Sequence, residues 1–393
     1  MAKTKPQDRT RKPKRHGKIS QSNGAPKKTK ASPELLLTQA TALLQTSQPN
    51  EALICARRAL ALLQPTPEPT VSSLPAVSLL GEINVELGNV EAARENFTLA
   101  ASLDPEGEVP GALGGGAEKF LWLAQLCEDG GSESVQWFEK GAMVLRREIG
   151  VLEGTGSTPQ VSQALEEKKT KLANALCGVV EVYMTDLSWE EDAEARCETL
   201  VTEALLVASN TPEPLQTLAS VRISQLRMED ARAALSRSIE LWKDLDTEDV
   251  KVPDFPTRIS LSRLLMEAEM EDDALEVLER LVGEDDSSVE AWYLGGWCLY
   301  LMSEKRRSSG DSAEERKALM PLMRASREWL QNSLKLYQVL EYEDGRLKEH
   351  AEELVQGLTK VLGPPTDGDE ADEDKGDWED DEEGSEDEEM EDT

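Results

Sequence analysis

Residues 77–105 read VSLLGEINVELGNVEAARENFTLAASLDP, and this stretch decides the fold. Val77, Leu80, Gly81 and Val85 recur at helical spacing and predict one short helix. Gly88-Asn89 predicts a turn. Ala92, Ala93, Phe97 and Ala100 form the stripe of a second helix, and Pro105 ends it. Gly81, Ala93 and Ala100 are small enough for two antiparallel helices to approach closely, and Phe97 fills the wedge beside them. Neither helix can bury its apolar stripe alone. Neighbours of the same kind must flank the pair, which predicts a stack of helical hairpins of the tetratricopeptide type.

The rest of the chain repeats the pattern with variation. A first hairpin opens at Ser32-Pro33, with Ser as the cap and Pro in the first turn. Leu36, Ala40, Leu43 and Leu44 form its first stripe. Pro49-Asn50 is read as its turn, and Ala52, Ala56 and Ala59 form the second stripe. The proline-rich PTPEPT, Pro65–Thr70, connects it to the second hairpin. Residues 106–117, rich in glycine, are read as a flexible inserted loop. No strand precedes them and no Gly-Lys-Ser/Thr follows, so a phosphate cradle is not indicated. A third hairpin carries Phe120, Leu121, Val135 and Phe138, and a fourth is built from long helices over 160–186 and 188–208. Leu215–Leu241 makes a fifth, and a sixth follows Pro253 and Pro256. The seventh opens with VEAWYLGGWCLYLM, Val289–Met302, and is interrupted by an insertion, KRRSSGDSAEERK, before it resumes near Leu319. A last helix, Glu343–Leu362, is charged along one side and suits a solvent-facing cap.

The copies are unevenly spaced. Ala52 to Ala93 spans 41 residues, Ala231 to Ala274 spans 43, and Ala274 to Ala325 spans 51. The usual period is about 34, so longer helices or inserted loops absorb the excess. The domain reading is therefore a basic arm over 1–31, an all-α solenoid over 32–362 with about seven irregular units and a capping helix, and an acidic tail over 363–393.

Charge is distributed to match. The formal net charge is -34. Residues 1–30 hold eleven Lys/Arg against one acid, and residues 364–393 hold eighteen acids against one Lys. Between them stand 31 basic and 58 acidic residues, so the body is acidic even without its tail. Such a field repels nucleic acid and anionic membrane and attracts basic partners. No apolar run approaches the roughly 20 residues that span a bilayer, so neither membrane nor direct nucleic-acid binding is expected. The arm and the tail lack apolar periodicity and are expected to be disordered. Within the arm, Arg11, Lys12, Lys14, Arg15 and Lys18 form a dense basic cluster that suits a nuclear import receptor, or else a solvated arm.

Catalytic chemistry is not indicated. Two histidines, His16 and His350, cannot build a histidine metal site or a Ser-His-Asp triad. Acid pairs are frequent enough to arise by chance. The five cysteines are scattered, with no Cys-x-x-Cys among them, and are read as reduced and buried. No cofactor is implied. What remains is surface. The first helix of each hairpin lines the concave side of such a stack. Glu82 and Glu86 lie one turn apart on one first helix, and Glu181, Glu267 and Glu269 are assigned to others. Tyr183, Tyr293 and Trp297 are read as aromatic surface beside them, and Trp292 and Tyr300 as core. Acids beside aromatics suit an extended peptide rich in Lys and Arg, through charge pairing and cation–π contact. The opposing reading makes the acids a solvated face and the aromatics core.

The basic arm, the irregular hairpins through VSLLGEINVELGNVEAARENF and VEAWYLGGWCLYLM, and the acidic tail together resemble a fungal family, the dedicated assembly chaperones of large-subunit ribosomal protein four. The resemblance covers nearly the whole chain, and VEAWYLGGWCLYLM is its most distinctive piece. It implies a non-catalytic chaperone that shields the long basic internal loop of the new ribosomal protein. It further implies passage from cytoplasm to nucleus and release at the pre-60S particle. A histone chaperone, or a scaffold with another basic client, would also fit the charge. A co-chaperone clamp for heat-shock carboxyl-terminal peptides fits poorly. It needs Lys and Asn on successive first helices, where this chain has Leu37 and Thr41, then Ser78 and Glu82.

Overall fold

The structure is a computed structural model. It describes residues 32–156, 158–309 and 313–364, apart from the side chains of 309 and 313–318. The basic cluster Arg11–Lys18 and nearly all of the acidic tail lie outside the described residues. Every regular element among the described residues is helical. They fall into two compact units, the first ending at Gly115 and the second beginning at Gly116. The sequence reading takes 32–362 as one stack. The division falls within the glycine-rich stretch.

The first unit holds α1 (Pro33–Gln45), α2 (Pro49–Leu63), α3 (Leu74–Glu86) and α4 (Val90–Leu103). They pack as the hairpins α1/α2 and α3/α4, and α1 and α2 also lie against α3. Ser32 caps α1, its Oγ accepting from the Leu35 amide at 3.3 Å. Pro49 opens α2 rather than making the turn, because a helix's first position needs no amide hydrogen and proline's fixed φ suits it. The turn itself is Thr46–Gln48, with Ser47 at φ 54°. The close approach expected at Gly81 is present. A Cβ there would stand 2.6 Å from the Phe97 ring, which is 1% exposed. Residues 106–117, expected to be a flexible loop, are largely exposed but are held by hydrogen bonds at several points. Ser78 Oγ donates to the Gly114 carbonyl at 2.7 Å, and the Asp104 carboxylate accepts from the Glu108 amide at 2.8 Å. A polar first-helix side chain and the preceding helix's C-cap thus hold the stretch down.

The second unit holds α5 (Glu118–Gln125), α6 (Gly131–Glu153), α7 (Pro159–Met184), α8 (Ala193–Val207), α9 (Glu213–Ser224), α10 (Met228–Glu240), α11 (Phe255–Glu267), α12 (Glu271–Glu284), α13 (Val289–Ser309), α14 (Ala313–Val339) and α15 (Gly345–Leu362). Consecutive pairs from α5/α6 to α13/α14 are hairpins. Helices α7, α9, α11, α13 and α15 touch in succession and form one row. The described parts of the insertion after Met302 lengthen α13 and α14. Its Lys, Arg, Glu and Ala are good helix formers. Helix α15 lays Leu347, Ala351, Leu354 and Leu358 into the largest apolar cluster of the unit. Asp344 caps it, accepting from the Arg346 and Leu347 amides.

Arg258 is one of three buried cations described in this unit, with Lys119 and Arg327. It is 3% exposed and forms a bidentate pair with Glu284, both N–O distances 2.6 Å, tying α11 to the end of α12. The cysteines form no disulfide. Burial pushes the Cys177 and Cys298 thiols up to about 12, so both stay protonated and unreactive near neutral pH.

Candidate functional site

Where three helices of the second unit's row run side by side, a cavity of about 540 Å³ opens. Helix α7 contributes Asn174, Cys177 and Glu181; α9 contributes Glu213, Gln216, Thr217 and Ser220; α11 contributes Thr257 and Ser260. Small hydroxyl residues on α9 and α11 leave the space between helices unfilled. Two carboxylates stand in it. Neither Glu181 nor Glu213 forms an ion pair with a described residue. Surrounding protein desolvates both and pushes their carboxyls above the ordinary range. The shift at Glu213 is instructive, because it begins α9. A helix N-terminus favours a carboxylate, and burial outweighs it.

Recess matters more than acid count. Two opposite charges about 4 Å apart attract by about 1 kcal/mol in bulk water and by about 4 kcal/mol near protein of effective dielectric about 20. A cation that reaches Glu181 or Glu213 therefore gains more than one beside a fully solvated glutamate. Every polar group that lines the cavity can accept a hydrogen bond, except the Cys177 thiol, which is a weak one. The arrangement can hold a cationic side chain and offers no activated nucleophile.

The residues singled out in the sequence separate into three groups. Glu82 and Glu86 both lie on α3 of the first unit, the former half-buried and the latter exposed. Glu181 faces the cavity, and Glu267 is exposed at the last position of α11. Of the other four, the three aromatics are buried or partly buried and Glu269 is off the first helix. Tyr183 is 4% exposed, packed with Val179, Val180 and Leu187, and the Arg196 guanidinium lies 5.3 Å from its ring centre. Glu269 lies beyond α11, in the left-handed turn to α12 at φ 60°, and pairs with Arg232 at 3.6 Å. It is not on a first helix because α11 ends two residues earlier. Tyr293 is buried, and its hydroxyl hydrogen-bonds His350 Nδ1 at 2.7 Å. Trp297 is partly buried, with its ring centre 5.1 Å from that of His350 in an edge-to-face contact. Helix α15 supplies the covering partner for both. Trp292 packs edge-to-face on Trp329, and Tyr300 lies against the same core.

Sequence reading missed Glu213 and Gln216. Pro212 and Pro214 frame the first turn of α9. An acid between prolines at a helix start was the available signal.

No protein-family model matches the chain. A protein of Emericella nidulans named "Probable assembly chaperone of rpl4" is 51% identical over 371 residues, covering 92% of this chain and 91% of that protein. A Schizosaccharomyces pombe protein of the same name is 35% identical over 291 residues, covering 74% of this chain and 81% of its own length. The solved structure "Assembly Chaperone of RpL4 (Acl4) (Residues 1-338)" is 51% identical. It superposes with a TM-score of 0.64 over 71% of this chain and 100% of that one. The packed helical hairpins, the acidic cavity and these relatives agree, and the chain belongs to the family of rpl4 assembly chaperones.

Proposed function

We propose that this chain is a non-catalytic assembly chaperone that binds newly made rpl4 and shields its basic, extended segment until ribosome assembly. The observation that carries this reading is 51% identity across nine-tenths of the chain to a protein named for that role. The acidity of the body, formally 31 basic against 58 acidic residues between arm and tail, supports it. So does the row of first helices with two unpaired, desolvated glutamates. Glu82 and Glu86 of the first unit, and Glu181 and Glu267 of the second, are the acidic contacts in this account. The basic cluster Arg11–Lys18 would engage an import receptor, so that the chaperone accompanies its client from cytoplasm to nucleus and releases it at the pre-60S particle.

Affinity capture of the tagged full chain from cytosol at moderate salt tests the reading. The expected result is stoichiometric rpl4 without ribosomes. Histones in its place would overturn the client assignment. A short export-block experiment tests the route: the chaperone should accumulate in the nucleus, and Arg11, Lys12, Lys14, Arg15 and Lys18 changed to Ala should keep it cytoplasmic.

A further inference from the structure

We infer that the far end of the α13/α14 hairpin is a docking face for the chain's own acidic tail, residues 365–393. The inference does not draw on the client. Residues 305–309 and 319–327 hold Lys305, Arg306, Arg307, Arg324 and Arg327 and no acid, in a chain of formal net charge -34. Counted through the stretch between them, 305–327 carries seven Lys/Arg against three acids. Lys305, Arg306, Arg307 and Arg324 are exposed. Lys305 pairs with Glu271 at 3.0 Å and Arg307 with Glu304 at 2.5 Å, whereas Arg306 and Arg324 form no ion pair among the described residues. Lys360, exposed in the last turn of α15, forms none either.

Chain geometry brings the tail to this face. Helices α14 and α15 pack antiparallel, and buried Arg327 donates from Nη1 to the Gly363 carbonyl at 2.9 Å. Helix α15 therefore ends level with Arg327, and the tail starts against α14. Gly363, at φ 83°, turns the backbone out of the helix. Arg324 lies about one turn further along α14. Ser326 Oγ donates to the Gly296 carbonyl at 2.7 Å and fixes the facing register of α13. By helical rise, Arg306 and Arg307 stand about 15 Å beyond that point in the same direction. An extended chain covers about 3.3 Å per residue, so the tail can pass both positions within about ten residues. Asp367, Asp369, Glu370, Asp372, Glu373 and Asp374 fall in that reach. Charge fits the occupant, since residues 364–393 hold eighteen acids against one Lys. Each exposed pair is weak and screened by salt. The short tether offsets this by setting an effective concentration on the order of millimolar. A docked tail covers the basic face and keeps nucleic acid from it.

The test uses the full chain without client, with benzoylphenylalanine in place of Ala371. After irradiation, mass spectrometry should map an adduct within one copy to residues 305–327. Arg306→Glu with Arg307→Glu and Arg324→Glu should cut its yield about tenfold while helicity by circular dichroism stays unchanged. Raising salt from about 0.1 M to about 1 M should do the same, because the screening length falls from about 10 Å to about 3 Å. Asp369→Asn, Glu370→Gln, Asp372→Asn and Glu373→Gln together change only the tail and should also cut the yield. An adduct yield that survives both sets of variants, adducts that join two copies, or no adduct on 305–327 would overturn the inference. If, in the last case, wild type retains labelled RNA through the three arginines, the face belongs to nucleic acid instead.

Discussion

Two stretches of one helical row differ in a way that sequence pattern alone does not show. At α7, α9 and α11 the floor of the row is polar and open, with Glu181 exposed and Glu213 half-buried beside Ser and Thr. At α13 and α15 the row is sealed, with Tyr293 and Trp297 closed over by His350. Both stretches carry residue types that bind basic peptides. The next helix decides which remain available. A neighbour with short hydroxyl side chains leaves a gap, and a neighbour with an imidazole and four apolar residues fills it. Aromatics on a first helix are therefore packing at the capped end, and acids stay accessible where the walls are short.

The largest expected effect breaks the sealed stretch. Leu358 is fully buried, and Leu358→Asp puts a carboxylate into the apolar cluster, costing about 3 kcal/mol. Urea unfolding monitored by circular dichroism measures it. A loss too small to detect would mean α15 is not part of the packed fold. Next, Trp297→Ala should cost about 2 kcal/mol for a partly buried ring yet leave rpl4 affinity within twofold of wild type. A large affinity loss with little change in stability would return Trp297 to the binding surface. Tyr293→Phe removes only the hydroxyl bonded to His350 and should cost about 1 kcal/mol.

The smallest stability effect has the opposite sign. Glu181 and Glu213 have folded-state carboxyls raised above their unfolded values. Their contribution to stability is then fully present below the unfolded values and is lost as pH rises through the raised ones. Glu181→Gln with Glu213→Gln should therefore melt slightly above wild type at neutral pH. The difference should shrink as the pH falls into the carboxylate range. Melting below wild type at neutral pH would assign these glutamates a structural role. Together with Trp297→Ala this makes a crossed pair: one change lowers stability and spares binding, the other spares stability and lowers binding.

Much of the fold was legible from elementary patterns. The pairing of Gly81 with Phe97 could be read because close helix approach requires a small residue facing a large one. The capping of α1 by Ser32 and the charged outer side of α15 follow the same local rules. Segments whose state depends on tertiary partners could not be read in that way. Residues 106–117 look like a loose linker until Ser78 and Asp104 are seen to hold them. The insertion after Met302 reads only as a delay before the second helix, and its described Lys, Arg and Glu extend helices because polarity does not oppose helix in those residues. In the candidate site, Glu181 could be placed on a first helix from spacing alone. The cavity it lines could not, because that depends on Thr217 and Ser260, far away in sequence and small. Tyr183, Tyr293 and Trp297 were misread as surface for the same reason, since their covers, Arg196 and His350, belong to other helices.

The most direct test is site-specific photo-crosslinking of the full chain bound to rpl4. A benzoylphenylalanine replaces either Ser260, at the rim of the cavity, or Trp189, which is 76% exposed between α7 and α8. The account predicts a covalent rpl4 adduct from position 260 and none from position 189. An adduct from 189 with none from 260 would contradict it and place the client outside the row of first helices.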